Sequence, residues 1–238
     1  MSNLTYEKKL EIYQACVKNC KDLKSKKKVL LRLLNLATNK NSQNEIDTLT
    51  KLLALLYSSY AESSFLKLIM TPYALSCSYV EEINRQYSLP KKWEKFFQIV
   101  FQQYSSNPDL KNKEQIIKRI YEDYIQFPSE LRNKVAHGQW IICLNEHNTG
   151  INKETTDYLS QIDFVQIDRF FNIYEKYIDI LKDLLESPKT HKKDFYNKLL
   201  ILEDFIEKTK GWNLATKRNA LQKKYSEYWK KENSKMPK

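Results

Sequence analysis

Glycine, histidine and cysteine are scarce in this chain of 238 residues, which contains three, three and four of them. Three glycines are too few for a fold built from many short strands and tight turns. Neither G-x-G-x-x-G nor G-x-x-x-x-G-K-[ST] occurs, which excludes nucleotide binding through those two loops. Scarce histidine and scattered cysteine argue against a zinc site. We therefore predict a protein that works without a metal or a cofactor.

Long apolar runs are also absent. Residues 1–9 lack the apolar core of a signal peptide, and the longest apolar stretch, residues 49–70, is broken by three charged side chains. Four cysteines do not form the disulfide framework of a secreted protein, so we expect a cytoplasmic location. Cys16 and Cys20 lie one helical turn apart, but no second ligand pair follows them. This favours two buried thiols over a metal or redox site.

The remaining pattern is helical, because apolar side chains recur at intervals of three and four residues along most of the chain. One short apolar run, residues 140–144, comes soon after Gly138 and is followed by a polar loop that ends at Gly150. It fits one strand of a short β-hairpin or a buried loop, and the sequence does not choose between them. We predict an all-α fold with helices at about 45–70, 75–88, 90–104, 112–126, 162–186, 191–209 and 213–232, preceded by an amphipathic segment over residues 4–36.

The net charge of +11 is unevenly distributed along the chain. Residues 189–238 contain 14 basic and 6 acidic side chains, whereas residues 1–188 contain 26 and 23. We therefore predict a helical bundle over 1–188 and a basic helical extension over 189–238 packed on it. The extension's lysines form either a solvated helix face or an arm that neutralises nucleic-acid phosphates. The candidate RNA-binding residues there are Lys217, Arg218, Lys223 and Lys224.

The run from Leu131 to Gly138 contains the side chains best suited to catalysis. A Pro-Ser pair just before it is a helix start signal, and Gly138 is a plausible left-handed terminator. Val135 would point towards a core. At 100° per residue, an arc of about 140° on the other side would hold Arg132, Asn133, Ala136 and His137. A guanidinium, an amide and an imidazole therefore share one face, with the small alanine leaving space among them.

This grouping suits cleavage of RNA. Histidine exchanges protons near neutral pH, and a guanidinium can hold a phosphate and stabilise charge in the transition state. The ribose 2′-hydroxyl would be the nucleophile, so no metal is required, and the products would be a 2′,3′-cyclic phosphate and a 5′-hydroxyl. The reaction needs both a base and an acid, yet this face has a single histidine. A symmetric dimer would supply the second.

The motif Arg132-Asn133-x-x-x-His137 in an all-helical chain resembles the signature of the HEPN superfamily. The resemblance implies a helical bundle, a homodimer with one composite cleft, and metal-independent endoribonuclease activity. It implies Arg132 and His137 as catalytic residues and Asn133 as the residue that orients them. It also implies a role as a toxin or antiviral effector, with an antitoxin or another defence protein as partner.

Two further residues are candidates near this motif. Some members of the superfamily place an acidic residue from an earlier helix in the cleft, and Glu62 fits because it interrupts an apolar, buried helix. The alternative is a Glu exposed at a helix edge. Lys134 lies between the two faces of the motif helix and is a candidate for binding RNA.

Two other functions remain open from the sequence. The chain could be a catalytically inactive HEPN-like module that binds nucleic acid or nucleotides. It could also be a helical adaptor whose aromatic surfaces bind a protein partner.

Overall fold

A computed structural model describes residues 4–102, 108–126, 133–186 and 192–233. The described residues form α-helices without a regular strand, so the all-α prediction is confirmed. Leu144 and Ile151 pair through one isolated antiparallel bridge, so the run 140–144 belongs to a loop. The helices are α1 Tyr6–Asn39, α2 Gln43–Ile69, α3 Cys77–Asn84, α4 Leu89–Gln102, α5 Pro108–Tyr121, α6 Lys153–Gln161, α7 Phe164–Glu186, α8 Lys192–Lys208 and α9 Leu214–Asn233, with a π-helical turn Glu122–Gln126 after α5.

Helices α1 and α2 form the longest packed pair of the bundle. The basic run 24–28 interrupts the apolar pattern of α1 in the sequence, but the helix continues through it. Lys27 of this run is buried, and its ammonium lies 2.8 Å from the Asp168 carboxylate and 4.5 Å from the centre of the Phe171 ring. Because the charge is paired with a carboxylate and lies over an aromatic ring, this lysine can be buried.

The core is rich in aromatic rings and lies between α2, α4 and α7. Tyr57 packs edge-on against Phe171, and Trp93 contacts Phe65 with 4.5 Å between ring centres. The Tyr174 hydroxyl donates to the carbonyl of Ala61 at 2.7 Å, and complete burial raises the pKa of this phenol well above its ordinary value. These contacts place α7 against the middle of α2 and leave the first half of α2 to support the segment that follows residue 132.

The C-terminal helices α8 and α9 pack on α7, with α9 also touching α1. The Arg169 guanidinium donates to the Thr209 hydroxyl and to the carbonyl of Ile206, at the end of α8. The Asp163 carboxylate accepts hydrogen bonds from the backbone N–H groups of two residues at the start of α7. It also accepts one from the N–H of Leu214, the first residue of α9, at 2.6 Å. The extension is therefore joined to the bundle by partly buried polar contacts, and its predicted boundary at 188/189 lies outside the described residues.

Candidate functional site

The motif segment ends in the helical turn that the sequence predicts. Residues 133–136 are helical, and the His137 N–H donates to the carbonyl of Asn133 at 3.0 Å. Gly138 has φ +78°, in the left-handed region, so its predicted role as terminator is confirmed. The N–H groups of Gly138 and Gln139 donate to the carbonyls of Val135 and Lys134, at 3.1 and 2.9 Å. This double closure fixes the backbone of His137 at the end of the turn.

The two faces of the turn differ as predicted for its described residues. Val135 is buried and packs in a small cluster with Cys143 and Leu159. Asn133, Ala136 and His137 are exposed on the other side. Arg132 and the predicted start at Pro128 and Ser129 lie outside the described residues. The turn thus presents an amide and an imidazole to solvent while its apolar side holds it to the protein.

His137 and Asn133 line one open cleft of about 930 Å³. The opposite wall is the loop after the motif, which is rich in amide side chains and contains one carboxylate, Glu146. The lining residues from the loop and from the start of α6 are Gln139, Leu144, Asn145, Glu146, Asn148, Asn152 and Thr155. Such a wall offers hydrogen-bond donors and acceptors to a polar ligand.

The loop that forms this wall is held by hydrogen bonds. The Asn145 N–H donates to the carbonyl of Gly150, and the Asn152 N–H donates to that of Cys143, both at 2.8 Å. The Trp140 indole N–H donates to the Val135 carbonyl at 2.9 Å, which links the loop back to the motif turn. Burial raises the pKa of the Cys143 thiol, although the nearby Lys134 ammonium and Thr156 hydroxyl lower it in part. The thiol is therefore a packing group.

Lys134 has a structural contact in the cleft. Its ammonium donates to the carbonyl of Leu144 at 2.6 Å, so it joins the motif turn to the loop. The side chain lines the cleft and is half-buried. Its predicted role in binding RNA stays a prediction.

Glu62 is exposed on α2. The expected burial is therefore wrong, and the alternative of an exposed helix-edge Glu is confirmed. Helix α2 turns this position outward because Ala61 and Ser64 face the core. Leu55 of α2 contacts the Val135 cluster. Glu62 lies two helical turns after Leu55, on the same side of α2. It does not belong to the cleft lining, and its part in catalysis stays a prediction.

The four basic candidates of the C-terminal extension lie away from this cleft. Lys223 and Lys224 are exposed on α9, whereas Lys217 and Arg218 are half-buried. The Nε atom of Arg218 is shielded from solvent and has no hydrogen-bond partner among the described residues. None of the four lines the cleft. Their role in binding RNA stays a prediction.

The sequence does not predict which residues form the cleft wall opposite His137, because their positions depend on the path of the loop. The asparagines at 145, 148 and 152 are visible only as a polar loop, and Asn148 takes a positive φ of 55°. One signal was available: an Asn before a helical pattern is a preferred N-cap, and Asn152 caps α6 in this way.

The other predicted features can be compared with the part of the chain that the structure describes. Cys16 and Cys20 are buried free thiols, as predicted, and burial raises the pKa of Cys16. Within the described ranges no group of three or more His, Cys, Asp or Glu side chains is placed to hold a metal ion. No described helix has the length and apolar character that a membrane crossing requires.

Comparison of the chain with models of protein families, with curated proteins and with solved structures finds no match in any of the three.

Proposed function

We propose that the protein is a metal-independent endoribonuclease of HEPN type. The observation that supports this most directly is the position of His137, exposed at the end of a closed helical turn and lining a large polar cleft beside Asn133. An imidazole in such a place can reach a phosphodiester in the cleft and exchange a proton with it. The neighbouring Arg132, one residue before the described turn, would stabilise charge on the phosphate.

The proposed reaction uses the substrate's own nucleophile. His137 removes the proton of a ribose 2′-hydroxyl, whose oxygen attacks the adjacent phosphorus. The bond to the 5′-oxygen of the next nucleotide breaks, and that oxygen takes a proton from a second imidazole. The products are a 2′,3′-cyclic phosphate and a 5′-hydroxyl. Asn133, one turn from His137, orients the phosphate or the imidazole through its amide.

The second imidazole is supplied by a second copy of the chain in this proposal. Apolar side chains beside the cleft support such a contact, since Ile141, Ile142 and Ile151 of the loop expose 76%, 49% and 60% of their surface. Ile151 pairs with Leu144 of the cleft lining, and exposed apolar groups that gather in one patch mark a surface that another protein covers. A dimer of this kind would act as a toxin or antiviral effector, restrained in the cell by an antitoxin or another defence protein.

The test is RNA cleavage in the presence of EDTA. We expect wild-type protein to cut RNA to cyclic-phosphate ends, and His137→Ala and Arg132→Ala each to lower the rate by about 100-fold or more. His147→Ala is the matched control, because His147 is exposed in the same loop but does not line the cleft. Equal activity of the His137→Ala and His147→Ala variants would contradict the proposal.

Mixing subunits tests the composite site. Adding an excess of His137→Ala protein should lower the activity of wild-type protein as mixed dimers form. An activity that depends only on the amount of wild-type chain would show that each subunit works alone. Salt-dependent RNA binding without cleavage would instead favour an inactive nucleic-acid-binding module, and the absence of both would favour a protein adaptor.

A further inference from the structure

A second cavity, of about 390 Å³, lies between α1, α7 and α9 and shares no lining residue with the His137 cleft. Its volume is in the range of sites for small molecules. The lining combines aromatic rings, an amide, a hydroxyl and a lysine. These residues are Leu31 and Asn35 of α1, Phe164, Val165 and Asp168 of α7, Trp212 before α9, and Thr216, Lys217 and Ala220 of α9.

The Asn35 amide in this cavity is not used by the fold. Its Oδ1 atom is shielded from solvent and has no hydrogen-bond partner among the residues that the structure describes. A shielded polar atom without a partner costs free energy, so such an atom calls for an explanation. An asparagine side chain has a donor and an acceptor side by side, so a turn of the amide towards the cavity would let a ligand with the matching pair on one edge satisfy both.

The aromatic walls have unequal exposure. Phe164 is buried at the cavity, whereas the Trp212 indole exposes 51% of its surface in the turn between α8 and α9. The turn is well fixed, because the Trp212 N–H donates to the Thr209 carbonyl and the next residue, Asn213, caps α9 in a reciprocal pair with Thr216. A large ring at a fixed, half-open position can stack on a flat ligand.

The rim of the cavity has an excess of positive charge. Lys217 lies in the first turn of α9, and Lys28 lies on the same side of α1 as Leu31 and Asn35. Neither lysine forms an ion pair with a residue in the described ranges. Asp168, the one carboxylate among the described lining residues, is already paired with Lys27 at 2.8 Å. An anionic group on the ligand would therefore be favoured at this rim.

We propose that this cavity binds adenine carrying a phosphate. The Asn35 amide pairs with the N6 and N7 atoms of adenine, an arrangement that asparagine makes with this base. The base stacks on Trp212, and Lys217 contacts the phosphate. The adenine belongs either to a free nucleotide or to an unpaired position of an RNA strand. The proposal does not depend on the nuclease proposal, because none of its residues lies in the His137 cleft.

Calorimetric titration with adenosine monophosphate tests the site. We expect adenosine monophosphate to bind and to quench tryptophan fluorescence. Inosine monophosphate, which has a carbonyl in place of the N6 amine, should bind about 10-fold more weakly. Asn35→Leu should weaken binding of adenosine monophosphate by about 10-fold as well. Asn19→Leu, the same change at an exposed position of α1, is the matched control.

Two further variants keep the test informative if Asn35→Leu folds poorly. Trp212→Phe should abolish most of the fluorescence quenching. Lys217→Ala should weaken the binding of adenosine monophosphate and leave the binding of adenosine unchanged. Equal affinity for the adenine and inosine nucleotides, or quenching that survives in Trp212→Phe, would overturn the proposal.

The two sources of adenine are separated in the His137→Ala background, in which a bound strand would not be cut. Binding of adenosine monophosphate identifies a free-nucleotide site. Binding of an oligoadenylate strand that depends on Asn35, without binding of the mononucleotide, identifies a site for an RNA base. Binding of neither would overturn the proposal, whether or not the protein cleaves RNA.

Discussion

The helical bundle and the motif segment, residues 133–163, are held together in different ways. The bundle buries many large aromatic side chains in one continuous core. Among the described residues, the motif segment has a separate cluster of three buried residues, Val135, Cys143 and Leu159, on which a few partly buried apolar side chains pack, and hydrogen bonds hold its loop. Segments with little buried apolar area open at lower free energy than a packed core. The candidate catalytic histidine therefore lies on the less stable of the two regions.

Removing an aromatic ring from the bundle should give the largest effect. Phe171 is completely buried and contacts Tyr57, Tyr60 and the ammonium of Lys27. We expect Phe171→Ala to lower the free energy of unfolding by about 3–5 kcal/mol, because it removes apolar contacts and leaves a cavity. Urea denaturation followed by circular dichroism measures the change. A loss below 1 kcal/mol would mean that this core is not what stabilises the fold.

A matched deletion in the motif segment should act locally. Val135→Ala should destabilise the segment by about 2 kcal/mol and raise the labelling rate of Cys143 by about 30-fold. Burial raises the pKa of both Cys143 and Cys16, so neither thiol reacts readily in the closed state. Labelling by a thiol reagent with mass-spectrometric readout should show no change at Cys16. Equal acceleration at both cysteines would contradict the separation of the two regions.

The link between the motif turn and its loop should have a smaller effect. Lys134→Met keeps the apolar stem and removes the ammonium that donates to the Leu144 carbonyl. We expect a local loss of about 1.5 kcal/mol, since a hydrogen bond from a charged donor is lost. Amide hydrogen exchange should become faster over residues 139–152 and stay unchanged in α7. Unchanged exchange in the loop would show that Lys134 does not hold it.

The smallest expected effect concerns the end of the turn. Gly138 has φ +78°, and a Cβ there would meet no atom within 4 Å. Gly138→Ala should therefore cost only the strain of a left-handed alanine, about 1 kcal/mol. The melting temperature should fall slightly, and the orientation of His137 should persist. A crystal structure of the variant in which His137 has left the cleft would show that the glycine has a larger role.

Most helices of the fold were predictable because their signals are local. Helices α2, α4, α7, α8 and α9 begin and end within a few residues of their predicted bounds, since periodic apolar positions and Pro-containing ends identify them. The sequence does not predict helix α6, because its nine residues contain a single buried apolar side chain, Leu159. The burial of Lys9 and Lys27 was also not predictable. It depends on partners distant in the chain, such as the Leu75 carbonyl that accepts from the Lys9 ammonium.

In the candidate site, too, only the features with local sequence signals were predictable. The opposite faces of Val135 and His137 follow from helical spacing, and the closure at Gly138 follows from the conformational freedom of glycine. The cleft itself was not predictable, because its second wall is a loop whose path is set by hydrogen bonds rather than by periodicity. Nor does helical spacing predict that Lys134 bonds to the Leu144 carbonyl.

The shared carboxylate of Asp163 has a consequence for the order in which the chain folds during synthesis. Asp163 precedes Leu214 by 51 residues, so it leaves the ribosome well before α9 exists. Its bonds to the N–H groups of Val165 and Gln166 can form as soon as α7 does, and the bond to Leu214 only afterwards. The start of α7 is thus capped early by a group that later receives α9. Docking of α9 is then a late step, completed on a bundle whose receiving group is already in place.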